Sequence, residues 1–179
     1  DELEDFLRKV ERVIKELRDD DKRALDRIRE VTKDVERKAR EILKRVEEVI
    51  RRIEESNIRE DELKEVLERL KEEARRLKRE LEKLSEELKK EIKEILDRNR
   101  KKLRDLEEEV KEVRKRVVRG REAEEALERL KTRLEKVHRD SKRALEKLRR
   151  DHEEVDKRIT EELRKLMERL KRVVDELRR

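Results

Sequence analysis

Three side chains that are able to support nucleophilic catalysis stand out in this sequence: Asp21, His138 and Ser141. A carboxylate, an imidazole and a hydroxyl are the residue types of a nucleophilic triad, in which the imidazole takes the proton of the attacking hydroxyl. Such chemistry also needs an oxyanion hole and a substrate pocket. The chain has one glycine in 179 residues, far from these three positions, and a close-packed helical core offers neither feature. We therefore predict no catalytic residue and no enzymatic activity.

Metal binding is the second chemistry that these residue types suggest. His138 and His152 are 14 residues apart, which on one helix is a rise of about 21 Å at ~1.5 Å per residue. The two imidazoles are therefore too distant to share an ion. A site that combines one histidine with Asp21 lacks a third strong ligand, and the chain contains no cysteine. We predict neither a metal nor another cofactor.

The composition excludes several classes of protein. Charged residues make up 63% of the chain, with 59 Lys and Arg against 53 Asp and Glu, and proline, tryptophan and tyrosine are absent. Folds built on sheets need many turns, which one glycine and no proline do not supply. No apolar run approaches the ~20 residues that span a bilayer. The acidic start, residues 1–5, is unlike a targeting peptide.

Nucleic-acid binding is also disfavoured, although the net charge is +6. Basic and acidic residues alternate along most of the chain, and recognition of single strands usually adds stacking aromatic side chains. The one aromatic residue, Phe6, occupies a predicted core position. We expect no specific nucleic acid and no membrane as a partner; weak, salt-sensitive association with polyanions is compatible with the charge.

Apolar residues recur with a fixed phase, which distinguishes this chain from a disordered polyampholyte or a lone charged helix. In the first segment they repeat every 18 residues, and three rows show the repeat: Leu7, Leu25 and Leu43; Val10, Ile28 and Val46; Val13, Val31 and Val49. Eighteen residues in five turns give 3.6 per turn, the period of a straight helix, so no supercoil is required. The stripe covers an arc of roughly 120°, as one helix needs against two others.

The phase of the repeat is reset twice, at residues 56–60 and 119–121. This divides the chain into three helices, predicted at about 2–55, 60–118 and 122–178, which form one domain over 1–179. Short turns make neighbouring helices antiparallel. The predicted fold is all-α: a long, untwisted, up-down-up three-helix bundle. The pattern does not distinguish between the two mirror arrangements of the third helix, so the handedness of the bundle stays open.

Residues at the segment ends agree with these boundaries. Acidic residues, from Asp1 onward, open each helix and basic residues, among them Arg119, close the second, as the helix dipole favours. Gly120 and Asn57 are the predicted left-handed residues at helix C-termini, and Ile58 is expected to cover the end of the core. Of the helix apolar residues, Val118 lies clearly off its stripe, which leaves little apolar surface for a partner.

Polar residues inside the apolar stripes fall at matching depths. In an antiparallel hairpin of these lengths, facing residues have numbers that sum to about 116–120 between the first two helices and to about 240 between the last two. The polar residues then form two groups with one member per helix. The Asn99 group contains Asp21, Asn99 and Ser141, and the His152 group contains Thr32, Ser85 and His152. We expect these groups to hold the helices in register, because a slipped helix leaves its polar members without partners.

Asp21 is expected to accept a hydrogen bond from Asn99 or Ser141, because an isolated buried carboxylate is costly. His138, at the edge of the stripe, is a possible charge partner. The alternative is that Asp21 leans to solvent or toward Arg18 or Lys22.

The 18-residue repeat, the two minimal turns, the Glu, Lys and Arg surface and the depth-matched polar residues resemble computationally designed straight helical bundles with buried hydrogen-bond networks. The resemblance extends over the whole chain and implies a scaffold without a natural ligand. The agreement of apolar pattern, caps and charge placement predicts resistance to heat, and the small number of apolar residues off the stripes predicts a monomer. A homo-oligomer stays possible. The runner-up is a spectrin-like repeat, which would serve as a spacer or a helix-docking module, but such repeats usually carry a core tryptophan.

Overall fold

Three long helices make up the chain in a computed structural model, which describes residues 2–117 and 120–179. They are α1 (Glu2–Glu54), α2 (Glu60–Val117) and α3 (Arg121–Arg178), and the described residues contain no strand. The run Asp19–Asp21 does not interrupt α1, as the continuous phase predicted. Asp1, Val118 and Arg119, for which an acidic start, an off-stripe valine and a basic helix end were predicted, lie outside the described residues.

Contacts between helices show their directions. From α1 to α2 the sequence separation of paired side chains falls from 100 to 42 and then to 28, as antiparallel helices require. These pairs are Lys9–Glu109, Lys38–Glu80 and Arg45–Glu73. From α1 to α3 the separation stays near constant, at 122 for Glu11–Arg133 and 120 for Thr32–His152, so these helices are parallel. The fold is an all-α, up-down-up three-helix bundle, as predicted.

The chain forms two compact units, and each unit contains one segment from each of the three helices. The first comprises Asp1–Ile28 and Leu88–Arg149, and the second comprises Arg29–Glu87 and Arg150–Arg179. In the first unit, apolar clusters form around Phe6–Leu17 and around Ala24 and Ile28. In the second, the cluster runs from Val35 to Ile53 and includes residues of α2 and α3. The single domain over 1–179 stays a prediction.

Burial follows the position in the repeat for the central row and for one edge row. Val10, Ile28 and Val46, at the centre of the stripe, are all buried. Leu7, Leu25 and Leu43, at one edge, are all half-buried. Each fully buried side chain of this size stabilises the fold by roughly 1.5–3 kcal/mol, so the central rows dominate the stability of both units.

Val31 departs from the predicted core, because 37% of its surface is exposed. Its row lies at the other edge of the stripe, about 60° from the centre at ~100° per residue. At that angle a side chain reaches the interior only where a neighbouring helix covers it. Val49, in the same row, is buried.

The first turn closes one residue earlier than predicted, and through a different residue. Ser56, rather than Asn57, has a positive φ, of 54°. The Asn57 N–H donates to the Arg52 carbonyl at 2.8 Å and the Ser56 N–H to the Ile53 carbonyl at 3.0 Å. These two bonds form a Schellman motif, which places the left-handed residue at Ser56 and ends α1 at Glu54. Ile58 packs against the core of the second unit, as expected.

Gly120 has a positive φ, as predicted, and the structure also gives it a role at the start of the next helix. It directly precedes α3, which begins at Arg121 rather than 122. Its carbonyl accepts the hydrogen bond of the Glu124 N–H at 3.3 Å, so it occupies the N-cap position of α3. Its φ of 143° is one that side chains with a Cβ rarely adopt.

Replacing Ser56 with glycine is expected to raise the free energy of unfolding by about 0.5–1 kcal/mol, because the left-handed conformation is strained for a residue with a Cβ. The converse change, Gly120→Ala, is expected to lower it by about 1 kcal/mol. A Cβ at Gly120 meets no atom within 4 Å, so that variant reports backbone strain alone. Chemical denaturation followed by circular dichroism measures both; a destabilised Ser56→Gly variant would contradict the assignment of strain to this residue.

Candidate functional site: two groups of polar side chains between the helices

Asn99 connects all three helices within the first unit. Its side chain is 6% exposed. Nδ2 donates to Asp21 Oδ1 of α1 at 3.0 Å and to Ser141 Oγ of α3 at 3.3 Å. An amide nitrogen carries two hydrogens, so both bonds can form at once. The structure therefore brings the three members of the Asn99 group together, with Asn99 as the shared donor.

Asp21 differs from the other two members because it is half-buried. It borders a surface groove of about 260 Å³ that also contains basic side chains. Those side chains are Arg23, Arg27, Arg98 and Lys102. The carboxylate thus meets Asn99 on its inner side and stays partly open to solvent on its outer side, which limits the cost of burying a charge.

The His152 group is only partly connected. His152 is 2% exposed, and its Nδ1 lies 3.2 Å from Thr32 Oγ1. Its Nε2 is buried without a hydrogen-bond partner. Ser85 is half-buried, and in the part of the chain that the structure describes it bonds to neither Thr32 nor His152. The three-residue group predicted here is therefore a pair, because the ring is turned toward α1 rather than α2.

Burial lowers the pKa of His152 below its ordinary value of 6.5, and the nearby carboxylates of Asp156 and Glu153 oppose this only in part. The imidazole is therefore neutral in the folded protein near pH 7. A neutral imidazole has one nitrogen that donates a hydrogen bond and one that accepts. Whichever of these roles Nε2 has, its hydrogen-bonding capacity is unused. That arrangement is costly by roughly 1–3 kcal/mol.

His138 lies in a different environment from the one predicted. It is half-buried beside a surface groove in the first unit, and its Nδ1 has no hydrogen-bond partner. Its pKa is lowered, first by burial and then by the positive charges of Arg100 and Lys142, while Glu107 raises it. Asp21 is not among the charges that act on it, so His138 is not the charge partner of Asp21 that the sequence made possible.

The side chains considered for nucleophilic catalysis are consequently not assembled. Ser141 Oγ accepts from Asn99, and Asp21 bonds to Asn99 rather than to an imidazole. Within residues 2–117 and 120–179, no set of three or more His, Asp or Glu side chains is placed to hold a metal ion. No helix in these ranges is both long and apolar enough to cross a membrane.

Sequence reasoning missed the basic groove next to His138, which is bordered by Arg100, Arg104 and Arg139. A signal for it was present. The pairing rule between the last two helices places Arg100 opposite Arg139, and Arg104 follows Arg100 by one helical turn. In a chain with this many charges, however, similar basic pairs recur at many positions, and only the contacts show which of them lack an acidic partner.

No protein-family model and no curated protein matches the sequence. Among solved structures, the chain is similar to one described as "Computationally designed three helix bundle", at 20% sequence identity and a TM-score of 0.48. The match covers 98% of this chain and 88% of that chain. The chain's own helices and contacts establish its fold class, an all-α bundle of three long helices.

Proposed function

We propose that the chain is a designed structural scaffold, a monomer without enzymatic activity, required cofactor or natural ligand. Its polar groups serve to hold the helices in register. The observation that carries the proposal is the Asn99 group, in which one amide side chain bonds to both neighbouring helices.

The physical reason is that polar bonds at one depth penalise sliding. Moving a helix by one turn shifts it by about 5.4 Å. After such a shift, apolar side chains of similar size replace one another at little cost. The reason is that the repeat has the period of the helix, so the apolar stripe is nearly the same from one turn to the next. Asn99, by contrast, would face apolar neighbours, and each orphaned polar group costs about 1–3 kcal/mol. The register is thus specified by the polar group more than by the apolar rows.

A distance measurement tests this role directly. Spin labels on cysteines at Arg12 and Lys101, both exposed and both in the first unit, report the relative position of α1 and α2 by pulsed electron resonance. The chain has no native cysteine. We expect one narrow distance in the parent protein. When the three members of the Asn99 group are replaced by apolar residues, we expect a second distance between the labels. It corresponds to molecules in which α1 has slid along α2 by about one turn, ~5 Å.

Two outcomes would contradict the register role. One is a triple variant that keeps the single narrow distance of the parent. The other is a parent that already shows several distances, since the polar group would then fail to select one register. Replacing Asn57, an exposed asparagine in the first turn, with leucine serves as a control and is expected to leave the distance unchanged.

The monomer proposal rests on the burial of apolar side chains. Of the large apolar residues that the structure describes, Val31 and Leu177 are exposed; Val31 lies in the middle of α1 and Leu177 in the last turn of α3. Two separate residues are far from the contiguous patch that an interface requires.

Sedimentation equilibrium is expected to give the mass of one chain, 22.3 kDa, throughout the micromolar range. A spacer or helix-docking module that works as a dimer would give twice that mass. A stable dimer at micromolar concentration would therefore reject the monomer proposal and favour the interaction module.

A further inference from the structure

A groove of about 500 Å³ lies beside His138 in the first unit, between α2 and α3. Buried Leu103 and Leu134 form its floor. The exposed side chains of Arg100, Arg104 and Arg139 stand around it. An apolar floor with convergent charges on its rim is the usual composition of a small-ligand site.

The arginines of this rim lack acidic partners. Among the described residues, Arg100, Arg104 and Arg139 form no ion pair. Some arginines of the same unit are paired, as half-buried Arg114 is with Glu128 at 2.5 Å. The rim therefore holds three guanidinium groups whose donors are available to a ligand.

The balance of charge around the groove is positive. Glu107 and Glu135 also line it, so two carboxylates oppose the three guanidinium groups. The pKa of His138 is lowered first by burial and then by the positive charges of Arg100 and Lys142, which Glu107 opposes. The His138 ring lines the same groove, while its Nδ1 atom is buried without a hydrogen-bond partner.

We propose that this groove binds a small phosphate monoester, with the phosphate held by Arg100, Arg104 and Arg139 and the apolar part of the ester lying on Leu103 and Leu134. Guanidinium groups bind phosphate oxygens through paired N–H donors, which makes arginine the preferred residue for this anion. The apolar floor adds burial that inorganic phosphate lacks. This binding activity goes beyond a scaffold role and does not depend on it.

Phenyl phosphate is a suitable probe, because it combines the two features. The ring signals of His138 and His152 are followed by NMR in ~0.1 M NaCl, which screens long-range electrostatic attraction. Titration with phenyl phosphate is expected to shift the His138 signals until they saturate, with a Kd of about 1 mM. The bound anion favours the protonated ring, so the pKa of His138 is expected to rise. The His152 signals serve as the internal reference and are expected to stay unchanged. Inorganic phosphate is expected to bind several-fold more weakly.

The variant Arg100→Gln/Arg104→Gln is expected to weaken binding of phenyl phosphate at least about tenfold, because two phosphate contacts are lost. Arg75→Gln/Arg79→Gln is the matched control. It removes two exposed arginines with the same spacing on the same helix, and the Kd is expected to stay within about twofold of the parent value. Arg139→Gln provides a second test from α3, and circular dichroism checks that each variant is folded.

Three results would overturn the proposal. His138 signals that move linearly without saturation, or do not move, would show that no site exists. Equal weakening by the Arg75→Gln/Arg79→Gln control would show attraction to net charge alone. Binding of inorganic phosphate as tight as that of phenyl phosphate would exclude a role for the apolar floor.

Discussion

Replacing Asn99 with alanine is expected to lower the free energy of unfolding by about 2–4 kcal/mol. The change removes both hydrogen bonds that Asn99 donates, to Asp21 and to Ser141. Ser141 is 7% exposed, so its hydroxyl is left without water as a substitute partner. Asp21 is half-buried and regains part of its hydration, which limits its share of the loss. Guanidinium denaturation followed by circular dichroism measures the change.

Asn57→Ala is the matched control for this experiment. Asn57 is exposed, and its hydrogen bond to Arg52 uses the backbone N–H, which alanine retains. We expect a change below about 0.5 kcal/mol, as for an ordinary surface substitution. A loss for Asn99→Ala as small as that of the control would show that the bonds of the Asn99 group contribute little to stability.

Replacing all three members of the Asn99 group together is expected to have the opposite sign. With leucine at 21 and 99 and alanine at 141, no polar atom is orphaned, and buried polar sets often contribute less than good apolar packing. The triple variant is therefore expected to be more stable than the parent. A single apolar substitution is expected to gain little stability, because it leaves the other polar members of the group without partners. If the effects of the single changes simply add up to that of the triple change, the three residues do not act as a network.

Acid is expected to destabilise the protein through His152 before the carboxylates titrate. The pKa of His152 is lowered in the folded state from its ordinary value of 6.5, chiefly by burial. The unfolded chain therefore binds the proton more readily than the folded chain. The stability contributed by the neutral ring is fully present well above pH 6.5 and is lost as the pH falls below it, by at most about 1.4 kcal/mol per pH unit for one proton.

The variant His152→Leu isolates this effect. Leucine retains most of the buried volume and removes both the titrating group and the unpartnered Nε2. Between pH 7 and pH 5, the free energy of unfolding of the variant is expected to fall clearly less than that of the parent. His138→Gln is the control: its ring is half-buried and its pKa is also lowered, so it is expected to remove a smaller part of the pH dependence. A His152→Leu variant with the same pH dependence as the parent would contradict the assignment.

The sequence alone was sufficient for the fold class and the depth of most side chains. The apolar rows repeat with the period of a straight helix, and a row such as Val10, Ile28 and Val46 has one level of burial throughout. Burial of this kind depends on the angle of a side chain around its own helix, which the spacing in the sequence determines. The same is true of the approximate depth along the bundle, since short turns limit, to within about one helical turn, which residues can face one another. Asn99, Asp21 and Ser141 meet for that reason.

The tertiary structure decided what depends on local backbone angles and on side-chain direction. Asn57 was the better left-handed residue by propensity, but the two bonds that close α1 place Ser56 there. Ser85 has the predicted depth, yet the His152 ring bonds to Thr32 instead. Val31 is exposed because an edge position is covered only where a neighbouring helix reaches it. His138 lies near the charges of Arg100, Lys142 and Glu107 rather than beside Asp21, because the direction of a ring at the edge of the stripe depends on how the surrounding side chains pack.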